Sequence, residues 1–250
     1  MVAYRKDLCR TVTSDYPHTF VSCVMPTKDR PQFLRQALRY FHRQTHQNAE
    51  LIVVDDSEKS VRKLCGGIPR VRYIRLTKPT LLGTKMNIGI EAARGKVIQK
   101  LDDDDYYHPD FLRVALTHYP ARNPWKELVA WDCFMVYLAG QKEARFSGHG
   151  WHAGGTLCFS REMWKKIPFR AIPKGVDHNF LIDQQAQVVR VCAPEHYMLV
   201  RHGRNTWTRM ADGKTVEDFL REGRKPYPAK LDDLLFRADC KFYRSLPALE

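Results

Sequence analysis

The chain has 250 residues, 44% of them hydrophobic, and a formal net charge of +13 at pH 7. That composition fits an ordinary globular protein built as one large domain or two small ones. No run of about 18 apolar residues occurs and residues 1–7 lack the apolar region of a signal peptide, which argues against a membrane-spanning helix and a secretory leader. The seven cysteines are scattered singly, with no Cys-x-x-Cys pair. They read as reduced thiols of a cytoplasmic protein, and the same scatter argues against structural zinc.

In chain order, residues 1–18 read as an arm or cap, and Phe20 to Met25 is a short β-rich run ended by Pro26. Thr27-Lys28-Asp29-Arg30-Pro31 is a loop into a helix, with Asp29 or Thr27 as the expected cap and Pro31 in the first turn. Phe33, Leu34, Ala37, Leu38 and Phe41 recur on one face of that helix. Leu51-Ile52-Val53-Val54 is a continuous apolar run, as in a strand buried on both faces of a parallel sheet, and it ends in Asp55-Asp56-Ser57. Val71 to Leu76 alternates and predicts a third strand. Leu82 opens a second helix, expected to stop at Gly95. Val97 to Leu101 is the fourth strand, and it runs into Asp102-Asp103-Asp104-Asp105-Tyr106-Tyr107.

Further on, a helix is predicted from Pro109 to Tyr119 and one or two strands from Leu128 to Leu138. A glycine-rich aromatic loop follows at 148–155, then a strand at 156–160 and a short helix at 161–167. Gly175-Val176-Asp177 opens another helix, two more strands lie at 188–193 and 196–201, and helical pieces interrupted by Pro226 and Pro228 complete the tail. The alternation of strands and helices predicts a mostly parallel sheet. Ligands of such sheets bind outside the carboxyl ends of the strands. Pro26-Thr27, Asp55-Asp56-Ser57 and Asp102 to Asp105 all fall at such ends, so three polar clusters share one rim.

Four adjacent aspartates repel one another where a buried strand should end. Either the turn is simply solvated or a hard divalent cation such as Mg²⁺ or Mn²⁺ neutralises it. Between Lys59 and Lys100 there are eleven Lys or Arg against one acid, Glu91. That asymmetry is either a solubilising face or a surface for a polyanion: a nucleotide, DNA or an anionic membrane. The aromatics of a single-strand-binding groove are not interleaved with these residues.

Several motifs, taken together, resemble family 2 glycosyltransferases. They are Val21-Ser22-Cys23-Val24-Met25-Pro26-Thr27-x-x-Arg30, Ile52-Val53-Val54-Asp55-Asp56-Ser57, Asn87-x-Gly89 and the Asp-rich turn. Gly154-Gly155-Thr156-Leu157-x-Phe159, Asp177-x-x-Phe180 and Arg201-His202-Gly203-x-Asn205-Thr206-Trp207 follow in order. The resemblance implies a GT-A fold, an α/β domain around a mostly parallel twisted sheet spanning residues 19–210, with residues 211–250 as a helical tail packed on it. It also implies a nucleotide-sugar donor, usually a UDP-sugar, a divalent metal (Mn²⁺ or Mg²⁺) and inversion at the anomeric carbon.

Residue by residue, the resemblance places the Asp-x-Asp signature on Asp102-Asp103-Asp104. Asp104 is the implied main metal ligand, Asp102 lies on the ribose or metal, and His202 is implied as a further ligand. Asp105 is support or a helix cap. Thr27, Asp55 and Asp56 match positions lining the nucleoside, with Arg30, Lys85 and Asp103 as further donor contacts. Asp177 is the implied general base, although Val176 stands where relatives carry Glu. Trp151, His152 and Gly155 match positions facing sugar or acceptor. The acceptor is expected to be a surface glycan or lipid-linked intermediate at an anionic membrane, or a hydroxylated base in phage DNA. A nucleotidylyltransferase is the alternative enzyme, but its Gly-rich phosphate loop is absent after the first strand. A non-catalytic sugar-nucleotide- or nucleic-acid-binding module is the other alternative.

Overall fold

The computed structural model describes residues 18–210 and 212–246, so the expected arm falls outside the described residues except for residue 18. In chain order the first half comprises β1 (Val21–Thr27), α1 (Pro31–His42), β2 (Ala49–Asp55), α2 (Arg62–Cys65), β3 (Val71–Arg75), α3 (Leu82–Glu91), β4 (Val97–Lys100), β5 (Tyr106–Tyr107) and α4 (Phe111–Thr117). The second half comprises β6 (Glu127–Cys133), β7 (Met135–Leu138), β8 (Glu143–Phe146), β9 (Cys158–Ser160), α5 (Arg161–Lys166), α6 (Val176–Gln184), β10 (Gln187–Cys192) and β11 (Tyr197–Arg201). Helices α7 (Val216–Gly223), α8 (Leu231–Leu234) and α9 (Arg237–Arg244) complete it.

A seven-stranded sheet runs β10-β6-β9-β4-β1-β2-β3. Strands β1 to β4 are mutually parallel, β9 is antiparallel to its neighbours β4 and β6, and β10 pairs parallel with β6. The apolar runs form central strands because both faces are covered. Along β1, Cys23 and Met25 face one core while Val24 faces the other; along β2, Leu51 and Val53 oppose Ile52 and Val54. The first core gathers α1, α4 and the C-terminal helices, with Phe33, Phe41, Phe111, Trp131, Leu220 and Tyr243 fully or almost fully buried. The second gathers α3, α5 and α6 through Met86, Ile90, Met163 and Phe180. Each such side chain contributes roughly 1.5–3 kcal/mol of burial.

Strand β1 continues through Pro26 to Thr27, two residues beyond the predicted end. Pro26 stays in register with Val54 of β2. Neither Thr27 nor Asp29 caps α1; Arg30 occupies the cap position without a side-chain hydrogen bond. Helix α3 stops at Glu91, short of Gly95. Gly89 explains how it lies so close to the sheet: a Cβ there would overlap Val24 and sit 3.1 Å from Val54 Cγ2. The segment between β2 and β3, expected to be loop, contains the one-turn α2.

A second, four-stranded sheet of order β5-β11-β7-β8 was not foreseen. The apolar stretch 128–138 divides at Phe134, sending β6 to the large sheet and β7 to the small one. Helix α9 is tied to α1 by Tyr40 donating to Tyr243 at 2.8 Å and by an Arg43–Asp239 ion pair at 2.7 Å. Among the described residues, no helix is long and apolar enough to cross a membrane.

Candidate active site

The ends of β4, β1 and β2 lie side by side in the sheet. The strand order reverses between β1 and β4, which is where open α/β sheets form their ligand crevice. There the Thr27 hydroxyl donates to Asp103 Oδ2 at 2.6 Å. The Arg30 guanidinium spans Asp103, at 2.5 Å, and Asp104. The four aspartates of the turn therefore have separate environments. Asp103 is buried; loss of water and the neighbouring Asp104 push its carboxyl up to about 7 against the pull of Arg30. Asp104 faces the same burial, but Arg30 and His202 outweigh it and hold the carboxyl well below the usual range. His202 Nε2 lies 3.0 Å from Asp104 Oδ2, and Asn205 Nδ2 lies 3.3 Å from the same oxygen. Asp105 turns the other way: it accepts from the Tyr197 hydroxyl and, at 2.9 Å, from the Val200 N–H, anchoring β11.

Asp102 faces a residue that sequence reasoning missed. Lys100 is the last residue of β4 and is completely buried. Its Nζ donates to Asp102 Oδ1 at 2.6 Å and lies 3.3 Å from Asp177 Oδ2. Burial alone would lower its pKa, but Asp102 and Asp177 outweigh that and raise it, so Lys100 remains a cation between two carboxylates. Asp177 is the second residue of α6 rather than its cap; Gly175 holds the cap position with φ +69°. Asp177 Oδ1 is buried and has no hydrogen-bond partner.

The Gly154-Gly155 turn closes over this pair. A Cβ at Gly154 would lie 2.7 Å from Asp177 Cγ, and one at Gly155 would lie 2.8 Å from Asp102 Oδ2. Both positions need glycine because the two carboxylates occupy the space. Tyr107 fixes the turn to the Asp cluster, donating to the Gly155 carbonyl at 3.0 Å and accepting from the Asp102 N–H at 2.7 Å.

The remaining predicted residues have other partners. Asp55 Oδ1 accepts from the Ser57 N–H at 2.8 Å, and its Oδ2 takes Tyr73 at 2.5 Å and Arg75 at 3.0 Å. Burial raises the Asp55 carboxyl, but hydrogen bonds from Ser57 and Tyr73 and the backbone prevail and lower it. Asp56 accepts from Lys85 Nζ at 2.7 Å and from the Thr80 N–H at 2.8 Å, and Lys85 also reaches the Thr27 carbonyl. Trp151 packs between Phe134 and Trp207, and His152 Nε2 lies 3.9 Å from Asp132. Of the eleven basic residues between 59 and 100, Arg72, Arg75, Lys85, Arg94 and Lys100 form ion pairs with the chain's own carboxylates. The basic stretch is therefore in part an internal scaffold.

The donor set fits a hard divalent cation. Asp104 is held ionised beside an imidazole, and the buried Asp103, Asp104 and Asp105 with the partly exposed Asp102 outnumber Arg30 and Lys100. Asp104 and His202 come together, whereas Asp102 is turned to Lys100. Two protein ligands suit a cation that also binds substrate phosphates.

An α/β sheet with its polar cluster at this reversal is the arrangement in which open sheets bind ligands, and the chain is similar to glycosyltransferases. Residues 22–131 match the model of glycosyl transferase family 2. It is 34% identical over 103 residues to the putative colanic acid biosynthesis glycosyl transferase WcaA of Escherichia coli, covering 39% of this chain and 37% of that protein. It is 21% identical over 196 residues to the amylovoran biosynthesis glycosyltransferase AmsE of Erwinia amylovora, covering 73% and 65%. An uncharacterized glycosyltransferase of Rickettsia felis is 30% identical over 120 residues, 20% of its length. The chain thus spans only part of these relatives. Among solved structures, S. aureus TarS superposes with a TM-score of 0.57 at 16% identity, covering 73% of this chain and 37% of that one. The mannosyltransferase PcManGT of Pyrobaculum calidifontis, in complex with GDP-Man and Mn²⁺, gives 0.57 at 15%, covering 74% and 58%. The fold is that of GT-A glycosyltransferases.

Proposed function

We propose that this chain is a metal-dependent, inverting glycosyltransferase that moves a sugar from a nucleoside-diphosphate donor to an acceptor hydroxyl. The observation that carries this reading is the Asp102–Lys100–Asp177 bridge beneath the Gly154-Gly155 turn, beside the Asp104–His202 pair. It puts a carboxylate with an unpartnered oxygen on the same lysine as Asp102, in the turn that carries the ionised Asp104.

In this reading Asp104 and His202 would hold Mn²⁺ or Mg²⁺, and the ion would supply Lewis-acid neutralisation of the leaving diphosphate. Arg30 adds positive charge on the same rim, and Thr27 and Asp103 fix its position. Asp177 Oδ1 accepts the proton of the acceptor hydroxyl as that oxygen attacks the anomeric carbon. Lys100 orients Asp177 and Asp102 together. Trp151 and His152 lead into the turn and bound the sugar side. A UDP-sugar is the first donor to test, since TarS was solved with UDP-GlcNAc; GDP-mannose, found with PcManGT, is the second. The names of WcaA and AmsE favour a glycan or lipid-linked acceptor over DNA, as does the internal pairing of much of the basic stretch.

Proton NMR of the product's anomeric centre tests the mechanism. Inverted configuration is expected; retained configuration would exclude direct displacement with Asp177 as base.

A further inference from the structure

Away from the carboxylate rim, three side chains that are far apart in sequence converge. Cys133 ends β6, Cys192 ends β10, and the two are register partners across the parallel strand pair. Their sulfurs lie within 4.8 Å of each other, and neither forms a disulfide. His149 comes over them from the loop after β8. One ligand atom from each of Cys133, His149 and Cys192 lies within 4.8 Å of the other two. Cys133 is buried, while His149 and Cys192 are open to solvent.

We propose that Cys133, His149 and Cys192 form a binding site for a thiophilic divalent cation of the Zn²⁺ class. Two sulfurs and an imidazole nitrogen are the donors that select such an ion over the hard cations expected at the Asp cluster. Around a tetrahedral Zn²⁺, with Zn–S near 2.3 Å and Zn–N near 2.0 Å, ligand atoms sit roughly 3.5–3.8 Å apart. The observed spacing needs a contraction of at most about 1.3 Å, within reach of two exposed side chains. Asp132 prepares the imidazole: its Oδ2 lies 3.3 Å from His149 Nδ1, and its Oδ1 accepts from the Gly150 N–H at 2.9 Å. With Asp132 accepting from Nδ1, the lone pair remains on Nε2, the neutral ligand form. Binding releases the two thiol protons as the Cys133 and Cys192 sulfurs become thiolates.

The other such convergence among the described residues, His108, Asp110 and His196, is less suited. Its carboxylate is already held by Arg113 and by Thr45 at 2.7 Å. The Cys133 site also has a structural consequence. It fastens the ends of β6 and β10 to the loop at 148–153, which leads directly into the Gly154-Gly155 turn over Asp177.

The test is titration of the full-length, fully reduced protein with Co²⁺, followed by competition with Zn²⁺. One equivalent is expected to produce a thiolate-to-cobalt charge-transfer band that Zn²⁺ abolishes. The band should vanish in Cys192→Ser and bind at least about tenfold more weakly in His149→Ala; both changes are at exposed positions that the fold tolerates. It should persist in Asp104→Ala, so a failure at the carboxylate rim stays distinguishable from a failure here. No band in the reduced wild type, a band retained in Cys192→Ser, or an unchanged affinity in His149→Ala would each overturn the proposal.

Discussion

Gly154→Ala perturbs the proposed base without touching its chemistry. Gly154 does not adopt a left-handed φ, so alanine adds no backbone strain there. Its Cβ would lie 2.7 Å from Asp177 Cγ and 3.0 Å from Asp177 Cβ. Carbon atoms rest about 3.5–4.0 Å apart, so the carboxylate must retreat by about 1 Å. A displacement of that size at a reacting group costs about 100-fold in rate, or about 2.7 kcal/mol of barrier. The assay is release of nucleoside diphosphate from the donor, which needs no knowledge of the acceptor, with donor affinity measured separately by calorimetry. The expected result is kcat reduced about 100-fold with donor binding essentially unchanged. Gly223→Ala, where a Cβ would meet nothing within 4 Å, is the silent control. Wild-type turnover in Gly154→Ala would refute the reasoning, because the position of Asp177 would then not matter.

Asp177→Asn should retain donor binding and lose about 10²–10⁴-fold in transfer; unchanged transfer would assign the base elsewhere. Lys100→Met leaves two carboxylates facing a buried site without their cation, and a loss of about 3–5 kcal/mol in urea-unfolding stability is expected; an unchanged midpoint would show the bridge to be dispensable. The depressed Asp55 carboxyl gives a pH prediction. A folded-state pKa below the unfolded one contributes stability that is present above about pH 4 and is lost as pH falls through the folded value. Asp55→Asn should therefore lower stability at pH 7 and flatten its decline below pH 4. An acid limb as steep as the wild type's would contradict this.

The rim was legible because its signals are local. Continuous apolar runs gave the central strands, and each ran into its polar cluster at the carboxyl end, so adjacency of β4, β1 and β2 needed only the parallel-sheet rule. What depends on partners distant in sequence was hidden. Lys100 reads as a surface lysine until Asp177 is brought to it. The partners of Asp55 and Asp56, which are Tyr73, Arg75 and Lys85, lie on other elements and were not foreseen. The second sheet escaped notice because β5 has only two residues and pairs with β11, far along the chain. Singly scattered cysteines argued against a zinc site, yet strand pairing sets Cys133 beside Cys192. The four adjacent aspartates, given separate parts by the resemblance, each meet different neighbours in the fold.

The central claim is that an ionised Asp104 beside His202 makes donor binding depend on a divalent metal. Thermal stabilisation by a panel of nucleotide-sugars, measured with Mn²⁺ and with chelator for the wild type and Asp104→Ala, tests it most directly. The account predicts that at least one UDP- or GDP-sugar stabilises the wild type with Mn²⁺ alone, and that chelator or Asp104→Ala abolishes the effect. Equal stabilisation in chelator, or in Asp104→Ala with Mn²⁺, would contradict it.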